Sequence, residues 1–384
     1  MKLKIGIILL LVILSFSVMG FWGFGGDKGV NDIIKLLKAN VGEELIKAHI
    51  EKKEMVFDLT TEDILNLKKA GASDKLLAFM MGINGNSDFP FIVDDNFIVK
   101  KPAKHNHLTI YPVYREIEVD VEDYLTLDEA QKTNIIEISE KPNASVPSVT
   151  IRNNGGKHIF IMAGEIILGG KQDRMISFDV LIPPGKEMDV EVKCVEHGRW
   201  HGKSKKFKTG SALGSKGVRS ALQFKGQQEV WNEVSKACAQ NSALSESGTY
   251  KAILSSQEVE KKSKPYLNAM NKQLNHKNMA GMIMALNGEI VCLDIFENPT
   301  YFSKVKDKLI KAYVLDAIST EIVNTDSPDK DDIIKFFKEL EVAKAQELKR
   351  YNANCNTELE SDAIIGNESR DSEGRLQHLN IYKR

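Results

Sequence analysis

Residues 164–200 read GEIILGGKQDRMISFDVLIPPGKEMDVEVKCVEHGRW, a series of short apolar runs broken by two Gly-containing turns. Runs of four to eight residues rich in Ile, Val and Phe suit strands, because a helix needs ten or more. Tight turns between such runs close antiparallel pairs, since a parallel crossover takes a dozen residues or more. The same pattern recurs elsewhere. Residues 149–152 and 158–161 flank Asn153-Asn154-Gly155-Gly156, residues 176–182 and 188–192 flank Pro183-Pro184-Gly185, and residues 280–293 turn at Asn287-Gly288. Each reads as a hairpin.

Further β-type runs lie at 107–111, 116–121 and 135–138, the last after a short helical piece over 127–132. Apolar spacing predicts helices over 220–240, 301–318 and 329–350, the last two amphipathic. The runs at 363–365 and 376–382 return to the sheet. Hairpins mixed with helices, without βαβ alternation, argue against a doubly wound nucleotide-binding fold. The expectation for residues 100–384 is an α+β domain with a largely antiparallel sheet and packed helices.

An internal repeat precedes it, within residues 29–83. DIIKLLKANVGEELIKAHI from Asp32 aligns with DILNLKKAGASDKLLAFMM from Asp63, matching Ile33 with Ile64, Leu36 with Leu67, Leu45 with Leu76 and Ile46 with Leu77. Each unit reads as helix, turn, helix, with Ser73 able to cap the fourth helix. Packing residues alone recur, so the expectation is a small all-α module of four helices; the functional alternative is a docking module. Residues 84–99 read as a linker.

The N-terminus carries Lys2 and Lys4, an uncharged apolar stretch over 5–18, and Val18-Met19-Gly20 where a signal peptidase would cut. Residues 1–20 are therefore expected to be a signal peptide. The protein is then exported, as a periplasmic or extracellular protein. The apolar character continues through Phe21, Trp22 and Phe24, so the alternative is a retained anchor, the one route to a membrane. A formal net charge of -1 gives no long-range field toward nucleic acid, and none is expected as a partner. Cys194, Cys238, Cys292 and Cys355 are too widely and irregularly spaced for a disulfide-dense scaffold.

Chemistry-bearing residues concentrate in two places. In Gly169-Gly170-Lys171-Gln172-Asp173-Arg174 the glycines permit close backbone approach, and Arg174 has the fork to clamp a phosphate or carboxylate. The plainer reading is a turn in which Arg174 pairs with Glu165 or Asp173. In Cys194-Val195-Glu196-His197-Gly198-Arg199-Trp200-His201, three readings compete. One is a thiolate activated by histidine. Another is a metal held by Cys194, His197 and His201. The third is a strand end where Cys194 is buried, Trp200 packs and Arg199 pairs with Glu196. A closed zinc site lacks a clear fourth ligand, so no metal is expected. Residues 201–226 are rich in Lys, Gly and Ser and read as a basic loop without a Walker pattern. No cofactor motif is present.

At these residues the chain resembles the ARPP-1 domain family, the ARG and rhodanese-phosphatase-superfamily-associated protein domain. The likeness runs from about residue 106 to the C-terminus, through NHLTIYPV, LTLDEA, the GGKQxR and CVExGRW motifs, the segment from Met279, and LQHLNIYKR. It implies no established activity. The family's name, by context, points to nucleotide-derived or phosphate-bearing ligands, and the pattern leaves the position of His197 variable. The candidate ligand-binding residues are Glu165, Lys171, Gln172, Arg174, Cys194, Glu196, Arg199 and Trp200. The leading expectation is a domain that binds a small anionic ligand or an envelope protein through this face. The rival is an enzyme acting on a phosphate- or ADP-ribose-like ligand, with Glu165 or Glu196 as acid–base and Arg174 or Arg199 stabilising charge. A third reading makes the cluster a structural ion-pair network.

Overall fold

The computed structural model describes residues 28–53, 55, 57, 59, 61–80, 91–94, 97–115, 122–141, 147–199, 204–274 and 278–384. The expected signal segment, the strand at 116–121, and Trp200 and His201 lie outside the described residues. The chain divides into two compact units, residues 1–86 and 87–384.

The first unit is α1 (Lys28–Lys38), α2 (Glu43–Lys52), α3 (Thr61–Lys69) and α4 (Asp74–Met80). Ile33, Leu37, Ile46, Leu67, Leu76 and Leu77 form its core. Asn40 (φ 57°) follows α1 and Gly71 (φ 99°) follows α3, the left-handed turn that commonly ends a helix. Ser73 caps α4 by accepting the Leu76 N–H at 3.1 Å. Its own N–H and hydroxyl donate to the Glu43 carboxylate at 2.8 and 2.6 Å, which fastens the second repeat to the first. The repeats are not equivalent in burial: Leu45 is 69% exposed, whereas its counterpart Leu76 is fully buried.

The second unit runs β1 (Phe91–Asp94), β2 (Phe97–Val99), β3 (Ala103–His105), β4 (Leu108–Arg115), α5 (Leu127–Lys132), β5 (Ile136–Glu140), β6 (Ser148–Asn153), β7 (Ile159–Ile161), β8 (Glu165–Gly169) and β9 (Arg174–Ile176). It continues with β10 (Val180–Ile182), β11 (Glu187–Cys194), β12 (Lys206–Leu213), α6 (Lys216–Phe224), α7 (Gln227–Gln240), α8 (Lys251–Leu254), α9 (Gln257–Gln273), β13 (Met279–Leu286) and β14 (Glu289–Phe296). It closes with α10 (Pro299–Ile318), α11 (Lys330–Glu341), β15 (Lys344–Arg350), β16 (Asn354–Glu360), β17 (Ile364–Asp371) and β18 (Leu376–Lys383).

The strands form a large sheet in the order β1-β2-β4-β13-β14-β18-β17-β16-β15 with β3 beside β4, a closed barrel β11-β6-β5-β12-β8-β9, and a ribbon of β10 with β7. Pairing between these strands is antiparallel, so the α+β class with a largely antiparallel sheet holds. Ile138, Ile151, Ile167, Ile176, Val190 and Val192 fill the barrel. Outside it, Ile166 and Met175 pack against Val218, Leu222 and Val230 of α6 and α7. The hairpin at Asn287-Gly288 forms between β13 and β14, with φ of 52° and 83° at its two turn residues.

Several expectations are corrected. Residues 149–161 do not form a hairpin: β6 pairs with β5 and β11, and β7 pairs with β10. The Asn153 amide donates to the carbonyls of Lys157, Ile182 and Pro183, so its asparagine organises the crossing rather than a two-residue turn. The run at 176–182 is divided between β9 in the barrel and β10 in the ribbon. Residues 220–240 are two helices, because Lys225 is extended and Gly226 starts α7. The helix over 329–350 ends at Glu341, and KAQELKR becomes the edge strand β15. Its charged, alternating sequence suits an exposed edge as well as a helix face. The basic stretch is not a loop but contributes β12 and α6. Phe97–Val99, placed in the linker, pairs with β4. The helix at 301–318 is α10, and it is not amphipathic. It packs on β4, β12, β13 and α9, and residues from Tyr301 to Ala317 are buried around much of its circumference.

Candidate functional site at the barrel mouth

Strand register brings the two motifs together. β8 runs from Glu165 to Gly169, β9 returns from Arg174, β11 ends at Cys194 opposite Arg174, and β12 begins beside the end of β5. The 169–174 loop and the 194–199 segment therefore meet at one mouth of the barrel. Both glycines are required there. Gly169 has φ 137° and a Cβ on it would lie 2.5 Å from the Lys206 carbonyl oxygen. Gly170 has φ 52° and a Cβ would lie 2.4 Å from the Phe207 ring.

Arg199 holds this mouth. Its guanidinium meets Glu196 Oε2 at 2.7 Å and Asp173 Oδ1 at 3.1 Å, and it donates to the carbonyls of Gly170 at 2.9 Å and Gly169 at 3.3 Å. Glu196 also accepts the Asp173 N–H at 3.0 Å, and Asp173 accepts the Gly169 N–H at 3.0 Å and the Thr249 hydroxyl at 3.1 Å. Burial opposes charge on both carboxylates. For Glu196 the Arg199 bond and the Asp173 N–H overcome it, and its pKa falls below the usual value. For Asp173 burial prevails, reinforced by the Glu196 charge, and its pKa rises.

Arg174 is arranged differently. It is 5% exposed, and it lies two residues from Ile176 of the barrel core, on the same side of β9. Its Nη1 donates to the Gln172 carbonyl and side-chain oxygens, both at 3.2 Å. Gln172 is fixed in turn by donating to the Glu196 carbonyl at 2.8 Å. The expected pairing of Arg174 with Glu165 or Asp173 is not made; Arg199 takes Asp173, and among the described residues no carboxylate lies within ion-pairing distance of Arg174.

The remaining candidates disperse. Lys171 has its side chain exposed, and among the described residues only its backbone N–H is engaged, with Glu140 at 2.6 Å. Cys194 is buried, its backbone N–H and carbonyl are clamped by the Gln227 amide, and burial raises its thiol pKa. His197 sets its ring edgewise on Trp231 at 4.5 Å. The geometry therefore gives no support to a thiolate activated by His197. Among the described residues no group of three His, Cys, Asp or Glu side chains is placed to hold a metal. Glu165 lies at the opposite end of the barrel. There Lys308 bridges it, at 2.8 Å, to Asp128, at 2.7 Å, and burial raises the Glu165 pKa despite that lysine.

A second buried cluster was not anticipated from the sequence. Arg219 grips Asp294 with two bonds of 2.6 and 3.1 Å, Tyr313 donates to Asp294 at 2.5 Å, and His378 sits between Asp294 at 3.1 Å and Asp179 at 2.9 Å. Phe296 stacks on His378 at 4.2 Å. Burial disfavours the imidazolium, but the two flanking carboxylates overcome it and raise the His378 pKa to about 9. The one sequence signal was a charged residue inside apolar strand runs, as in IVCLDIF around Asp294. A groove of about 1020 Å³ lies elsewhere, along α6 and α7, with Lys225, Glu233 and Asp316 in its walls.

A closed six-stranded barrel joined to a large antiparallel sheet, with two signature loops at one barrel mouth, defines the class of the second unit. The ARG and Rhodanese-Phosphatase-superfamily-associated Protein domain, ARPP-1, matches residues 96–382, and the chain belongs to that family. No curated protein and no solved structure matches the chain.

Proposed function

We propose that this is an exported binding protein whose barrel mouth receives a small anionic ligand or an envelope partner. The observation that carries the reading is the convergence of GGKQxR and CVExGR on one mouth, where Arg199 of one segment is tied to Asp173 of the other, Arg174 is held by Gln172, and the Lys171 side chain faces outward from the same loop. A site pinned by its own hydrogen bonds loses little freedom when it binds, which favours recognition. The turnover reading gains nothing comparable: the thiol is buried, its neighbouring histidine packs on tryptophan, Glu165 is at the far end of the barrel, and Glu196 is tied to Arg199 and the Asp173 N–H.

The test is a thermal-unfolding screen of the purified protein against ADP-ribose, nucleotides and sugar phosphates. Mouth variants Lys171→Ala and Arg174→Ala are compared with Lys225→Ala in the groove. The reading expects a ligand-dependent rise that both mouth variants weaken and the groove variant leaves alone. A rise that only Lys225→Ala removes would move the site to the groove and end the proposal.

A further inference from the structure

Arg174 has a feature that Arg199 and Arg219 lack. Arg199 meets two carboxylates, Arg219 meets Asp294, and Arg174 meets none among the described residues. It is nonetheless 5% exposed. A buried guanidinium without a counter-ion is costly, and the cost is relieved when an anion takes its place beside it. The groups around it do not supply one. Gln172 offers two neutral oxygens, both to Nη1. Cys194, opposite Arg174 in the β9–β11 register and two residues from Val192 of the barrel core, keeps its proton because burial raises its pKa. Glu196 is occupied by Arg199 and the Asp173 N–H.

The engagement of Nη1 leaves one side of the fork. The Nε–Nη2 edge has no partner among the described residues, and it presents two parallel N–H donors, the arrangement that matches two oxygens of one carboxylate or phosphate. We infer that this edge of Arg174 is the docking point for a small oxyanion, the carboxylate or phosphate terminus of a ligand that enters the barrel mouth. The inference rests on the binding reading above and adds its anchor and its chemistry. The depth of Arg174 restricts the anchor to a terminal group. Gln172 orients the fork by holding Nη1, and Arg199, tied to Asp173 and Glu196, shapes the loop without competing for the anion.

The test uses the purified protein, with inorganic phosphate and acetate titrated separately at constant ionic strength and binding read by calorimetry and by the unfolding temperature. Wild type is expected to show a saturable response to at least one. Phosphate alone identifies a phosphate terminus, acetate alone a carboxylate terminus. Arg174→Met is expected to abolish the response and, in anion-free buffer, to unfold at or above the wild-type temperature, because it removes an uncompensated buried charge. An arginine kept only for structure would instead lower that temperature. Arg174→Lys keeps the charge and loses the fork, and is expected to bind at least about tenfold more weakly. If Arg174→Met fails to fold, Arg174→Lys decides, and unchanged affinity in it overturns the inference. So does a wild-type response that survives in Arg174→Met, or the absence of any saturable response in wild type. A screen ligand that still binds in those last two cases, and is lost in Lys171→Ala, leaves the binding reading standing with a different anchor.

Discussion

Arg199 and Arg219 make ion pairs of nearly the same length, 2.7 Å to Glu196 and 2.6 Å to Asp294, and use them for different purposes. Arg199 is 30% exposed and spreads its donors over two carboxylates and two loop carbonyls, so it organises backbone beside water. Arg219 is 1% exposed and directs two donors at one carboxylate, which in turn carries Tyr313 and His378. Its charge is balanced along a chain that ends at Asp179, where the Ala163 N–H donates at 2.7 Å. At the mouth, removing a partner frees a loop. In the core, it strands a charge. Exposure, rather than pair distance, decides what each pair is worth.

The largest effect should therefore come from Asp294→Ala, which leaves Arg219 and His378 facing each other without their shared carboxylate. Breaking a buried pair from one side costs about 3–5 kcal/mol, and denaturant unfolding should show a loss of that order. A loss below about 1 kcal/mol would mean that the core pair behaves like a surface one and would erase the contrast.

The core chain also titrates. His378 has its pKa raised from 6.5 to about 9 by Asp179 and Asp294 against the opposing effect of burial. A base whose folded pKa is raised contributes stability that is complete below about pH 6.5 and disappears as pH rises through about 9. The total is on the order of 3 kcal/mol. Stability measured from pH 6 to pH 10 should decline across that window. His378→Asn should be less stable at pH 6 and should flatten the decline. A wild-type profile that stays level would show that the imidazole is neutral in the folded protein and that Asp179 and Asp294 do not hold its proton.

Arg199→Ala comes next, with an expected loss of about 1–2 kcal/mol. Charge-assisted hydrogen bonds are worth more than neutral ones, but those of a third-exposed guanidinium are screened. Hydrogen exchange should rise at Gly169 and Gly170, whose carbonyls it holds, while β13 and β14 stay protected. If exchange rose equally in the large sheet, the mouth and the core would be one cooperative unit, and the comparison would fail.

Much of this architecture was legible in the sequence. Periodicity and turn residues indicated the helical repeat, the β13–β14 hairpin and the antiparallel class. The reading failed where a local pattern serves two structures. KAQELKR has the spacing of a helix face and forms an edge strand, and Asn153-Asn154-Gly155-Gly156 has hairpin residues but connects strands of different sheets. The candidate site was legible as two motifs, not as a partnership. Glu196 with Arg199 is a local pair that spacing suggests. Asp173 with Arg199, and Asp179 with His378, join residues brought together only by the register of the barrel and the sheet. No residue near Arg174 in sequence reveals that its carboxylates are already taken.

The smallest expected effect is also the sharpest test of what the GGKQxR motif holds. Lys171 is its most conspicuous charge, yet the bond it makes to Glu140 uses its backbone N–H, and its side chain is exposed. Lys171→Ala should change stability by no more than about 0.5 kcal/mol, since the backbone donor remains. The neighbouring Gly170→Ala removes no charge and no hydrogen bond. It nonetheless forces a Cβ into a left-handed position 2.4 Å from Phe207 and 2.6 Å from Glu140 Oε1, and should cost about 1–2 kcal/mol or more. With that ranking, the glycine is in the motif for the fold and the lysine for what approaches from outside. The opposite ranking would require the Lys171 side chain to support the loop, and would remove it from the group of residues free to meet a ligand.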